Sequence, residues 1–150
     1  MKNTVLSGLI AISLLVTTNL LATDEKTEVL YQISYQPSGE VKVSNAAECN
    51  LTITPKDGWV LKTDTPFKAK LASHENLDLP KAKFIAKEKG FVWTSKDFVD
   101  AKATPKTILT SFTAKVAGPY SLNADLTFFV CSDTICKRQK DAAKCNFEVK

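Results

Sequence analysis

Short stretches of alternating apolar and polar residues run through most of the 150-residue chain and predict an all-β fold. Turn signals containing Pro and Gly separate these stretches, and no long amphipathic helix pattern interrupts them. Four cysteines in a chain of this length are typical of a small disulfide-stabilised domain. We therefore expect an immunoglobulin-like antiparallel β-sandwich of seven to nine strands.

The N-terminus has the pattern of a secretory signal peptide. Lys2 supplies a positive charge, residues 5–21 are mostly apolar, and Ala22 ends an acceptable cleavage sequence. We expect residues 1–22 to be removed, which leaves residues 23–150 as a β-sandwich domain in the periplasm or outside the cell. An uncleaved membrane anchor is the alternative, but polar residues interrupt the apolar run. No stable membrane span is expected after removal of the signal.

The first half of the domain contains five predicted strands. The turn Pro55-Lys56-Asp57-Gly58 is the clearest boundary, because Pro presets φ and Gly accepts a positive φ. The alternating segments around it are residues 29–35, 41–43, 49–53, 59–61 and 67–71. A loop or edge strand is expected at residues 74–80.

The next segment predicts two strands around a turn at residues 89–90. Four lysines there alternate with other residues and are typical of the solvated face of one strand: Lys81, Lys83, Lys87 and Lys89.

The second half begins with a polar connection at residues 97–106, which contains Pro105. Clear alternation then predicts strands at residues 108–116 and 122–130, separated by an Ala-Gly-Pro turn. Residues 145–149 predict a final strand, and residues 137–144 have room for one helical turn.

The parity of the strands separates the cysteines into two kinds. Cys49 and Cys145 each share a strand face with large apolar residues, so both are expected to point into the core. Cys131 falls on the opposite face from Val130 and is expected to be accessible, with partial shielding by Phe129.

The spacing of the cysteines also predicts their pairing. In a hairpin with a four-residue loop, Cys131 and Cys136 would oppose each other about 4.5 Å apart at Cα, within reach of a disulfide. By elimination, Cys49 would pair with Cys145. Chain entropy gives roughly 2 kcal/mol for the short loop and about 4.7 kcal/mol for one near 100 residues, so the long-range bridge is the better structural staple.

The short bridge is the candidate redox pair, because it could open without unfolding the domain. Lys137 and Arg138 follow Cys136 and would favour a thiolate there, whereas Asp133 opposes one.

Other chemistry finds little support in the sequence. The basic residues are dispersed and almost all lysine, which does not favour nucleic-acid binding, although the net charge is +4. Cys49 is isolated, so a zinc site with four cysteine ligands is not expected. His74, the single histidine, lies in a polar segment with no sign of a nucleophilic partner. We expect no cofactor and no metal.

The segment Phe128-Phe129-Val130-Cys131, followed by Ser-Asp-Thr-Ile and Cys136, resembles the last strands of the periplasmic N-terminal domain of DsbD-type disulfide-interchange proteins. Gly58-Trp59 with the later Pro66-Phe67 is similar to a pattern of related periplasmic sandwich domains. The resemblance implies that Cys131 and Cys136 form a redox pair that exchanges electrons with a thioredoxin-fold partner. The chain departs from that family in its cysteine spacing, in Lys137-Arg138 after the second cysteine, and in the additional cysteines.

Two functions therefore stay open at the level of sequence. In the first, the domain carries out thiol–disulfide exchange through Cys131 and Cys136 with a thioredoxin-like partner. In the second, it is a non-enzymatic envelope-binding module in which Cys49–Cys145 and Cys131–Cys136 are both structural disulfides.

Overall fold

Nine β-strands and three single-turn 3-10 helices make up the part of the chain that the computed structural model describes, residues 28–150. The predicted signal peptide lies outside these residues. The strands are β1 Tyr31–Pro37, β2 Ala46–Pro55, β3 Lys68–Leu71, β4 Leu77–Asp78, β5 Phe84–Ile85, β6 Gly90–Thr94, β7 Lys106–Ala114, β8 Gly118–Cys131 and β9 Cys136–Val149.

The strands form two antiparallel sheets packed face to face. The four-stranded sheet has the order β1-β2-β7-β4, and the five-stranded sheet has the order β5-β6-β3-β8-β9. The prediction of an all-β, immunoglobulin-like sandwich of seven to nine strands is thereby confirmed.

The core lies between the sheets and follows the alternation seen in the sequence. On β2, Cys49, Leu51 and Ile53 are buried, while the residues between them are partly exposed. Phe128 of β8 is fully buried at the centre, and its ring meets the ring of Tyr31 edge-on at 4.9 Å between centroids. Burial of such aromatic rings supplies much of the stabilising apolar contact.

The hairpin of β8 and β9 is the longest unit in the sandwich, with 14 residues in each strand. It pairs continuously from Gly118↔Val149 to Cys131↔Cys136. The expected helical turn at residues 137–144 is therefore wrong, because these residues pair with β8 along their whole length. Backbone hydrogen bonds to a neighbouring strand outweigh the weak local helix propensity of such a segment.

Three other sequence predictions also need correction. Residues 41–43 and 59–61 do not form strands but each make one isolated bridge, Val41 to Val149 and Val60 to Cys131. The lysine-rich residues 81–89 are not one strand, because two 3-10 turns flank the two-residue β5 and Lys89 adopts a left-handed conformation. In this segment Lys83 pairs with Asp97 rather than facing solvent alone.

Candidate functional site

The β8–β9 hairpin brings Cys131 and Cys136 together at its tip. They form a disulfide with their Cα atoms 4.0 Å apart, as the four-residue loop predicted. Both backbone polar groups of Cys131 face away from Cys136: its N–H donates to the Val60 carbonyl at 2.9 Å, and its carbonyl accepts from the Val60 N–H at 2.8 Å. The two cysteines are therefore a non-hydrogen-bonded cross-strand pair, the arrangement with the shorter Cα separation.

The loop between the cysteines is ordered by Ser132. Its backbone N–H donates to the carbonyl of Ile135 at 2.8 Å, and its hydroxyl accepts from the N–H groups of Thr134 and Ile135 at 3.3 and 3.2 Å. Such serine turns satisfy loop backbone groups locally. The hairpin tip therefore has internal hydrogen bonds that do not depend on the disulfide.

Cys131 is fully buried, and the expectation that it would be accessible is wrong. Parity did place Cys131 on the face opposite Val130, away from the central core. The sequence could not show that Val60 would form a bridge directly beside Cys131. Cys136, across the hairpin, is exposed. The bridge thus joins an exposed cysteine to a fully buried one.

The positive charge beside the bridge is partly engaged elsewhere. The Lys137 ammonium lies 5.3 Å from the centroid of the Trp59 ring, within the range of a cation–π contact. Arg138 lies directly across the strands from Phe129. Neither cation is paired with Cys131, so a thiolate released there would be a buried charge without a described counter-ion. Such burial is costly.

The second disulfide joins the two sheets through the core. Cys49 on β2 and Cys145 on β9 are both fully buried, and their Cα atoms are 6.4 Å apart. The predicted pairing and the predicted inward orientation of both cysteines are confirmed. Because the bridge closes a loop with a sequence separation of 96, it restricts the unfolded chain strongly.

His74 lies far from the cysteine hairpin. Its ring packs against Tyr120 with 5.4 Å between centroids, and its Nδ1 accepts a hydrogen bond from the N–H of Asn76 at 3.2 Å. Tyr120 precedes Cys131 by eleven residues on the same strand, which corresponds to roughly 35 Å at the usual rise per residue. A Cys–His nucleophilic site at the hairpin is therefore excluded by distance.

A groove opens on the side of the sandwich where β1 and β9 approach each other. It has a volume of about 530 Å³ and is lined by residues of both strands, including Ile33 and Ala143. The Tyr31 hydroxyl spans it and donates to Asp141 Oδ2 at 3.0 Å. Partial burial and this carboxylate raise the pKa of Tyr31 to about 12. The hydrogen bond between Tyr31 and Asp141 thus joins β1 to β9 across the groove.

Within residues 28–150, no three His, Cys, Asp or Glu side chains are grouped so that they could hold a metal ion. The same residues contain no helix with the length and apolar character needed to cross a membrane.

Comparison with known proteins gives structural likeness only. No family model and no curated protein matches the chain. A cohesin module from a family 33 glycoside hydrolase of Clostridium perfringens superposes with a TM-score of 0.46 at 12% identity, covering 82% of this chain and 98% of that chain. AggA, the major subunit of aggregative adherence fimbriae type I from Escherichia coli, gives a TM-score of 0.36 at 11% identity, covering 80% and 95%. At these values neither likeness assigns a role to any residue of this chain.

Proposed function

We propose that the domain is a non-enzymatic binding module of the cell envelope or the extracellular space, with two structural disulfides. The observation that carries this proposal is the burial of Cys131 between Val60 and Cys136. In the closed bridge Cys131 has no exposed surface, so a partner thiolate has no direct access to it. Structural disulfides are typical of oxidising compartments, which supports a secreted or periplasmic location.

The remaining described surface agrees with a binding role. The long-range bridge lies wholly in the core, where a partner thiol has no access to it. Sandwich domains commonly supply a rigid support for a recognition surface, and the fold itself does not choose the ligand. We therefore assign binding to the outer surfaces of the sandwich and stability to the disulfides.

Thiol trapping across redox buffers tests this proposal. The folded protein is equilibrated in glutathione and dithiothreitol mixtures, its free thiols are alkylated, and the cysteines are mapped by mass spectrometry. Both bridges should stay closed between about −180 and −270 mV, the range of known exchange proteins. Selective opening of Cys131–Cys136 in this range, with Cys49–Cys145 still closed, would contradict a purely structural role.

Thiol–disulfide exchange is the second candidate, and the exposure of Cys136 supports it. A partner thiolate would attack the Cys136 sulfur, form a mixed disulfide and release Cys131 as the leaving thiolate. This is the role that the DsbD resemblance implies for the pair. The variant Cys131→Ser leaves Cys136 free at the surface and should then capture a thioredoxin-fold partner covalently. The variant Cys145→Ser, whose remaining Cys49 is buried, serves as the control; equal capture by both variants, or none by either, would argue against exchange.

A further inference from the structure

The outer faces of the two sheets differ sharply in charge. In the four-stranded sheet, the outward positions of β1, β2 and β7 carry amides, hydroxyls, Ala46, Leu109 and the single charged residue Glu48. No Lys or Arg occupies an outward position in any of its four strands. In the five-stranded sheet, the outward positions carry five cations: Lys68, Lys70, Arg138, Lys140 and Lys144.

Strand register arranges these cations in two columns. Lys68 and Lys70 of β3 lie on one side of β8, where they pair with Thr127 and Asp125. Arg138, Lys140 and Lys144 of β9 lie on the other side, where they pair with Phe129, Thr127 and Asn123. Neighbouring strands are about 4.8 Å apart, and β8 lies between the two columns, so the columns are roughly 10 Å apart. Along one strand, side chains at positions i and i+2 are separated by roughly 7 Å.

The acids on this face leave it with excess positive charge. Lys68 Nζ forms an ion pair with Glu88 at 2.7 Å, and the hydrogen bond and charge of Lys68 lower the pKa of Glu88. Asp125 lies between the columns, and Glu148 lies near the far end of β9. No ion pair is found within 4 Å for Lys70, Arg138, Lys140 or Lys144 among the residues that the structure describes.

We propose that this basic face, defined by Lys68, Lys70, Arg138, Lys140 and Lys144, binds a linear acidic polysaccharide laid along β8. The inference rests on the proposed binding function and names its surface and partner chemistry. Between the two cation columns, β8 presents the Asn123 amide and the Thr127 hydroxyl together with Asp125 and Phe129. The columns and the polar groups match a chain that carries carboxylates or sulfates together with hydroxyl groups. The field of such a clustered face attracts a polyanion and makes its binding dependent on salt.

The composition of the basic face favours a glycan over the other polyanions. Nucleic-acid surfaces use arginine and several stacking aromatics, whereas this face has Arg138 as its only arginine and Phe129 as its only aromatic residue. Membrane insertion needs a cluster of exposed apolar side chains, whereas the two large exposed aliphatic residues of this face, Val60 beside Cys131 and Ile85 on the edge strand β5, lie in separate parts of the sheet. The disulfides support an oxidising location, where acidic polysaccharides are accessible partners.

The test measures binding of the purified protein to immobilised polygalacturonate and heparin at 50, 150 and 300 mM NaCl, where the screening length is about 14, 8 and 6 Å. The face variant is Lys70→Gln/Arg138→Gln/Lys140→Gln. The control variant, Lys42→Gln/Lys102→Gln/Lys115→Gln, removes the same charge from exposed positions outside the strands. We expect at least tenfold weaker binding by the face variant, no more than twofold weakening by the control, and a salt slope that is lower by about two to three in the face variant.

Several results would overturn the inference. Equal weakening of the two variants would mean that binding follows net charge rather than this face. The proposed partner would be excluded if the wild-type protein bound neither glycan at 50 mM NaCl. It would also be excluded if the protein bound phosphatidylglycerol vesicles or single-stranded DNA more tightly than the glycans. Thiol trapping on the same samples separates the two proposals: failure to bind with both bridges closed refutes only the glycan inference, whereas opening of Cys131–Cys136 refutes the structural role of that bridge.

Discussion

Removing one disulfide at a time should show how unequally the two bridges stabilise the fold. The variants Cys49→Ala/Cys145→Ala and Cys131→Ala/Cys136→Ala each delete one bridge without leaving a free thiol from that pair. The first bridge spans a sequence separation of 96 and the second a separation of 5. Loop-closure entropy gives about 4.7 kcal/mol for the long loop and about 2 kcal/mol for the short one. The expected difference between the variants is therefore roughly 2.5 kcal/mol.

Urea unfolding followed by Trp fluorescence measures both free energies, with linear extrapolation to water. Each variant replaces two cysteines with alanine. The same atom, a sulfur, is therefore removed at each of the buried positions Cys49, Cys145 and Cys131. We expect the hairpin variant to stay folded with native-like spectra, since Ser132 and the Val60 pairing hold the tip. A hairpin variant that loses as much stability as the core variant, or more, would refute the loop-entropy reasoning and give the short bridge a larger packing role.

Two further substitutions test the core and the sheet. Burial raises the pKa of Tyr35 to about 12, so the contribution of its neutral form to stability is complete below about pH 10 and is lost as the pH rises to 12. Tyr35→Phe should reduce this alkaline loss by roughly 2–3 kcal/mol in urea titrations at pH 9 and 12. An unchanged pH profile would contradict the assignment. A Cβ at Gly90 would lie 2.5 Å from the Leu71 carbonyl oxygen, so Gly90→Ala should destabilise the fold by about 1–3 kcal/mol. The control is Gly39→Ala, which should be near neutral because its Cβ would meet nothing within 4 Å. Similar urea unfolding midpoints for the two variants would contradict this expectation and show that β6 shifts freely.

Alternation along the chain predicted much of the sandwich correctly. The buried positions of β2, β7 and β8 follow the period of two that the sequence shows, because successive side chains in a strand point to opposite faces. The same rule correctly oriented Cys49 and Cys145 toward the core. The hairpin pairing of Cys131 with Cys136 followed from loop length, which is also a local property.

The failures occurred where a segment depends on a distant neighbour. Residues 137–144 are mostly polar, so no apolar period marked them as a strand, yet they pair with β8 from Val130 to Asn123. Residues 59–61 alternate as a strand would, but only Val60 finds a partner. Pairing partners separated by many residues leave little trace in local composition.

The sequence by itself determined the fold class, the faces of the strands and the identity of both cysteine pairs, because periodicity and loop length are local. Only the tertiary structure decided that Cys131 is buried, since the backbone that pairs beside it, at Val60, lies 71 positions earlier in the chain. Register likewise decided that Lys68 and Lys140, dispersed in sequence, lie on opposite sides of Thr127 in one row of the sheet. Strand neighbours are fixed by the balance of all core contacts, so burial and surface charge at such positions are properties of the assembled sandwich.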